Sequence, residues 1–151
     1  TRLRTMPLDP AVVAELPARA LDGLRDGEPS AVDHLLGLGS GLTPLGDDVT
    51  CGWLATMVAA GDPHADPVRE RMLQIAPGRT TALSATLLRR AAEADVLPDF
   101  VRVLCRLRRP EAGAEPAASI TALARIGHTS GTGLLLGLTL ALDHLVSRSC
   151  P

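Results

Sequence analysis

The stretch Val49-Thr50-Cys51-Gly52-Trp53-Leu54-Ala55-Thr56-Met57-Val58-Ala59-Ala60 decides the fold. It is apolar almost all round, which suits a helix covered on every side. A second such stretch runs from Gly133 to Val146. Gly52, Ala55, Ala59, Gly137 and Ala141 are small enough to let two helix backbones approach closely. Strand signals are weak: there is no sustained alternation of apolar and polar residues and no Asn-Gly hairpin turn. The expected architecture is all-α, a compact helical domain with two buried central helices, each preceded by a Gly-rich loop.

Helix punctuation recurs outward from this pair. Asp9-Pro10 joins a cap to a proline at the first helical position and leads into residues 11–25, which Pro17 should split or kink. Pro29 opens a short helix through Leu35 and Leu36 that Gly37 stops. Asp66-Pro67 repeats the start signal for residues 68–76, and Pro77-Gly78 should end that helix. Thr80 or Thr81 can cap the next, to about Ala94, with Leu83, Leu87, Leu88 and Ala91 at helical spacing. Pro98 starts another, with Phe100, Val103, Leu104 and Leu107 inward and Arg102, Arg106 and Arg109 outward. Residues 112–116 read as a loop, and Ser119 is placed to cap a short helix ending at Gly127.

Composition removes several function classes. The 151 residues suffice for one domain with a core, and 46% of them are hydrophobic, which argues against disorder. Trp53 and Phe100 are the only aromatic residues, so stacking platforms for single-stranded nucleic acid are not expected. Every basic residue is arginine, which excludes a Schiff-base lysine and a phosphate-loop lysine. A net charge of -2 leaves no general polyanion-binding surface, so no nucleic-acid partner is expected. Cys51, Cys105 and Cys150 form no CxxC, which disfavours a disulfide framework or a cysteine-rich zinc site. Cys51 reads as a buried core thiol, and a reducing cytoplasm fits best. The longest apolar stretch, residues 134–142, is too short to span a membrane, and no secretory signal is read.

The chemistry concentrates in two loops. The first is Gly37-Leu38-Gly39-Ser40-Gly41-Leu42-Thr43-Pro44-Leu45-Gly46-Asp47-Asp48, and the second is Ile126-Gly127-His128-Thr129-Ser130-Gly131-Thr132-Gly133. Glycine costs stability, so this density has a reason. One is steep turns. Another is a set of backbone N–H groups converging on a ligand near a helix N-terminus. Gly39, Gly41 and Gly131 are the candidates for that role, with hydroxyls from Thr43, Thr129, Ser130 and Thr132. Such a pocket suits a carboxylate, a phosphate or a planar amide. Neither loop matches a Walker A or dinucleotide fingerprint.

Asp47 and Asp48 repel a phosphate unless a metal or an arginine intervenes. They can bind Mg²⁺, or one can act as a general base or accept an amide N–H. The plainer reading makes Asp47 a helix cap. His128 precedes small polar residues at the start of a buried helix and is the second catalytic candidate beside Asp48. Its plainer reading is a hydrogen-bonded structural histidine. Ser130 reads first as a cap, since no Gly-x-Ser-x-Gly elbow is present. Arg79-Thr80-Thr81 with Ser84 forms a third polar patch, where Arg79 either grips an anion bidentately or is simply solvated. Arg89, Arg90, Arg102, Arg106, Arg108 and Arg109 read as exposed faces. His34, His64 and His144 show no recognisable metal-ligand spacing.

The run from Gly39 to Asp48, followed by Gly127-His128-Thr129-Ser130-Gly131, resembles the AllH-like family. That family includes a subunit associated with oxamate carbamoyltransferase of anaerobic allantoin (ureide) degradation. Arg79-Thr80-Thr81 with Ser84 is similar to an intermediate family segment, and the resemblance runs roughly from Leu35 to Leu145. The chain departs from the family pattern at Ser40 (commonly Pro), Leu45 (commonly Ser) and Gly133 (often Asp). The resemblance implies that oxalurate and phosphate give oxamate and carbamoyl phosphate in a multisubunit enzyme, with no organic cofactor. Family members are usually longer on the N-terminal side, so residues 1–151 are expected to be a single helical domain forming a C-terminal portion. The expected partners are a small anionic substrate (phosphate or a carbamoyl compound) and other subunits or a second copy of the chain. In that chemistry the loop N–H groups and hydroxyls stabilise an oxyanion, and His128 polarises the carbamoyl oxygen or shuttles a proton. Arg79 holds the anion, while Asp47 and Asp48 orient the amide nitrogen or a Mg²⁺. Two other readings stand beside it: a non-catalytic assembly subunit whose loops are packing devices, and a metal-dependent hydrolase using the aspartate pair.

Overall fold

The computed structural model describes residues 8–109 and 116–149. Among these the chain forms only helices, in the order α1 Pro10–Val13, α2 Ala18–Asp26, α3 Ala31–Leu35, α4 Leu45–Ala60, α5 Ala65–Arg79, α6 Ala82–Ala91, α7 Pro98–Arg108, α8 Pro116–Ala124 and α9 Ser130–Ser149. The fold is therefore all-α, as the apolar stretches predict.

α4 and α9 are the central pair. Every residue from Leu45 to Met57 is buried, and so are Leu135, Leu138 and Ala141 of α9. Small residues set their separation. A Cβ on Gly137 would stand 2.0 Å from the Val49 carbonyl oxygen, and one on Gly52 would stand 2.2 Å from that of Leu134. Gly133 faces Leu45 and Asp48, while Gly137 faces Val49 and Trp53. Residue numbers thus rise together along the contact, so the two helices run parallel. The C-terminal part of α9 emerges from the core, with Asp143 and Val146 exposed.

α9 is longer than its apolar stretch suggests. By length and composition it could cross a membrane, with a mean hydropathy of 1.2 over the best window, half of which is buried inside the fold. Its packing against α4 accounts for that apolar character.

Around the pair, α2 and α3 lie with α5 on one side, α6 packs against α4, and α7 and α8 lead into α9. Asp9 caps α1 by accepting the Ala11 N–H at 2.9 Å, and Pro17 separates α1 from α2. α5 departs from the punctuation of its sequence. It begins at Ala65, and Pro67 sits in its first turn, where a missing N–H costs nothing. Pro77 does not stop it; the helix ends two residues later at Arg79, so the lost bond falls in an ending ladder.

α6 ends at Ala91 rather than near Ala94, and its buried stripe is Ser84, Leu88 and Ala91. Leu83 and Leu87 are exposed, because Ser84 is bonded to Asp47 and turns that stripe toward α4. On α7, Phe100 and Val103 are buried as expected, whereas Leu104 and Leu107 are half-buried. Ser119 lies inside α8 rather than capping it, and that helix ends at Ala124 instead of Gly127. Of the loop expected over residues 112–116, only Pro116 is among the described residues, and it begins α8.

Candidate functional site

Because α4 and α9 are parallel, their N-termini lie at the same end, and the two glycine loops meet there. The Thr43 and Ser130 hydroxyls are 2.9 Å apart. Thr81 joins the junction from a third direction. Its hydroxyl donates to the Leu42 carbonyl and also caps α6 by accepting the Ser84 N–H.

Asp47 is fully buried and accepts three donors: the Gly37 N–H at 2.7 Å, the Ser84 hydroxyl at 2.5 Å and the Thr80 hydroxyl. It does not cap its own helix, whose N-cap is Pro44. It ties the start of the first loop to the α5–α6 junction instead. The sequence marks Thr80 and Ser84 as a polar patch, but not that Asp47 is their partner.

Asp48 is adjacent in sequence and different in surroundings. A helix turns about 100° per residue, which carries it off the Asp47 network and against α9. It is 6% exposed, and its Oδ2 has no hydrogen-bond partner. Burial pushes its carboxyl up to about 7; a bond from the Ser130 hydroxyl pulls the other way, and the neighbouring Asp47 charge adds to the rise. Gly133 permits this approach, since a Cβ there would stand 2.7 Å from that of Asp48. The carboxyl is thus poised to gain or lose a proton near neutrality. Burial also pushes the Cys51 thiol up, so that residue is an inert core thiol.

The glycines serve turns and close contacts. Gly37 has φ +82°, and a Cβ on it would stand 2.2 Å from the Arg79 carbonyl oxygen. Gly131 passes under the Leu123 carbonyl, and Gly39 and Gly41 also take positive φ. The N–H groups of Gly46, Gly131 and Gly133 already donate to the carbonyls of Leu38, Ile126 and Thr129. Those three amides are therefore not free to converge on a ligand.

Other sequence candidates are spread out. His128 is exposed on the turn before α9, beside half-buried Thr129. Arg79 is exposed and donates to the Asp33 carbonyl. It borders a cleft of about 720 Å³ whose lining includes Glu28, His34 and Leu38, on the α2–α3 side. Asp48, Thr43 and Ser130 are not part of that lining.

One cluster is assembled almost entirely by the fold. Asp62, His64 and His144 come together at the far end of the α4–α9 pair. Only Asp62 and His64 are near neighbours in the chain, and their short spacing is the sole local signal.

Neither the curated proteins nor the solved structures contain a match to this chain. The family model for oxamate carbamoyltransferase subunit AllH matches residues 35–142, from the end of α3 through both loops and most of α9. That match covers more than half of the chain, and the protein belongs to the AllH family.

Proposed function

We propose that this chain acts as the AllH-type subunit of a cytoplasmic oxamate carbamoyltransferase in ureide (allantoin) breakdown, and that it binds a small anionic substrate where the two glycine loops meet. The observation carrying this reading is Asp48: a buried carboxyl with an unpartnered oxygen, at the N-terminal ends of two long parallel helices, beside the Thr43–Ser130 pair. A neutral Asp48 carboxyl removes its own share of the repulsion that the aspartate pair would exert on an anion, and the three donors around Asp47 offset part of the rest. The neutral carboxyl also donates a hydrogen bond where a carboxylate cannot. The positive ends of α4 and α9 favour negative charge at the same place.

In the proposed reaction a phosphate oxygen attacks the carbamoyl carbon of oxalurate. The bond to the oxamate nitrogen breaks, and that nitrogen takes a proton. Asp48 supplies the proton or a hydrogen bond to the developing oxyanion. His128 polarises the carbamoyl oxygen, with Thr43, Thr129 and Ser130 orienting the reactants. Arg79, at the neighbouring cleft, is a second anion-holding group. The test is the melting temperature of the chain in phosphate, carbamoyl phosphate or oxamate. A rise that disappears in Asp48→Ala and His128→Ala is expected; two variants with the full wild-type rise would sink the site.

The close contacts at Gly46, Gly131 and Gly137 favour a second reading, an assembly subunit whose glycines serve packing. Leu42, at the tip of the first loop, is 70% exposed and suits a partner surface. This reading expects no ligand response from the isolated chain and unchanged partner catalysis after loop mutation.

A further inference from the structure

We propose that Asp62, His64 and His144 form a site for a zinc-class divalent ion, at the opposite end of the α4–α9 pair from Asp48. Their ligand atoms all lie within 4.8 Å of one another, and this is the one such group among the described residues. A tetrahedral ion with bonds of about 2.0–2.2 Å holds its ligands roughly 3.3 Å apart, so closure needs only side-chain adjustment.

His144 is the telling member. It is 5% exposed, its Nδ1–H donates to the Arg25 carbonyl at 2.8 Å, and its Nε2 is buried without a partner. Donation through Nδ1 leaves the lone pair on Nε2. A backbone carbonyl that fixes the tautomer in this way is the usual outer-shell arrangement of a metal-bound histidine. A local turn explains the Asp62–His64 pair, because Asp62 accepts both the His64 N–H at 2.9 Å and its ring Nδ1 at 2.8 Å. It does not explain why the ring of His144 stands 4.9 Å from that of His64, with an unsatisfied nitrogen.

The surroundings favour a cation. The C-terminal ends of α2 and α4, capped by Gly27 and Gly61, both lie beside the cluster, and helix C-termini carry partial negative charge. Two imidazoles and one carboxylate select zinc, cobalt or nickel over magnesium, which prefers an all-oxygen shell. Asp62 and His64 keep 17% and 33% side-chain exposure, which gives the ion an entry path and leaves water at a fourth position. α4 is 16 residues long, so the ion sits about 24 Å from the Asp48 end. It joins the end of α2, the α4–α5 turn and α9, and takes no part in chemistry at the loops.

The test uses the chelator-treated 151-residue chain and the metals alone: Zn²⁺, Co²⁺ and Mg²⁺. One Zn²⁺ per chain is expected, with a rise in melting temperature and no response to Mg²⁺. The Co²⁺ complex should lack a thiolate charge-transfer band, which separates this site from the cysteines. His64→Ala and Asp62→Asn replace partly exposed residues. Each should weaken Zn²⁺ binding at least about 100-fold, more than the loss of an outer-shell partner, while metal-free melting changes little. His144→Gln should match them, and the other two variants decide if it does not fold. Absence of Zn²⁺ binding by the wild type overturns the proposal. So does undiminished binding by both His64→Ala and Asp62→Asn, or a thiolate band in the Co²⁺ spectrum.

Discussion

The hydroxyls of Thr43 and Ser130 meet at 2.9 Å although 87 positions separate them in the chain. This bond joins the two glycine loops directly. A neutral hydroxyl pair of this kind contributes about 1 kcal/mol. Thr43→Val should lower the melting temperature by about 3 °C in a domain of this size. Ser130→Ala should cost a similar amount, and the double variant should cost less than the sum. The two differ in a second readout. Ser130 also bonds Asp48, so its loss should raise the carboxyl titration further, whereas Thr43→Val should leave it nearly unmoved. Fully additive costs would mean that the bond does not couple the loops.

Asp48 makes stability depend on pH in the direction opposite to an ordinary paired aspartate. Its folded carboxyl titrates at about 7, above the ordinary 3.8, so the folded chain holds the extra proton between those values. The stabilising contribution is complete below about pH 4 and is lost as pH rises through 7. The change is bounded by about 4 kcal/mol. Asp48→Asn should flatten this part of the pH profile and stabilise the chain at pH 8. Denaturant midpoints across the range measure both effects. A variant that is less stable than wild type at pH 8 would show that the folded chain stabilises the Asp48 carboxylate despite its burial. Phosphate binding should weaken over the same rise in pH, as the carboxyl becomes charged.

The amide substitution should have the opposite effect at Asp47. Asp47→Asn presents an NH₂ to a group of three donors, and at least one of them loses its acceptor. The cost should be about 3 kcal/mol, read from the urea midpoint, against about 1 kcal/mol for Ser84→Ala. A cost within about 0.5 kcal/mol, the range of an ordinary surface substitution, would remove Asp47 as the staple of the loop.

These two aspartates show where sequence reading stops. The apolar run through Trp53 identifies α4 and its burial on every side as far as Met57, whereas Val58 is half-buried and Ala59 and Ala60 are exposed, so Ala59 is not one of the close-approach residues. The loops are legible from their glycines. The Asp47–Asp48 doublet is not divisible from sequence, because their different roles depend on Ser84 and Thr80 on one side and Ser130 on the other. The parallel course of α4 and α9 is equally hidden, as it follows from contacts between residues more than 80 positions apart. Leu83 and Leu88 are both consistent with a helical stripe, and only the Ser84–Asp47 bond decides which one faces inward. His144 reads as one polar residue in an apolar helix until the α4–α5 turn brings His64 beside it.

Gly137 supplies the most direct test of the central pair. In isolation, Gly→Ala in a helix gains up to about 1 kcal/mol. Here the new Cβ would stand 2.0 Å from the Val49 carbonyl oxygen and 2.6 Å from the Trp53 nitrogen, both backbone atoms that move only with their helix. Overpacking of this kind costs about 1–3 kcal/mol or more, so Gly137→Ala should destabilise the chain despite its better propensity. Gly78 is the control, because a Cβ on it meets nothing within 4 Å. Gly78→Ala should be neutral or stabilising by up to about 1 kcal/mol. Trp53 is the sole tryptophan and fully buried, so its emission reports the separation of α4 and α9 without a label. A red shift in Gly137→Ala, absent in Gly78→Ala, is expected together with a weaker phosphate response, since helices forced apart also part Thr43 from Ser130. An unshifted emission with wild-type stability would show that the two backbones are not in contact.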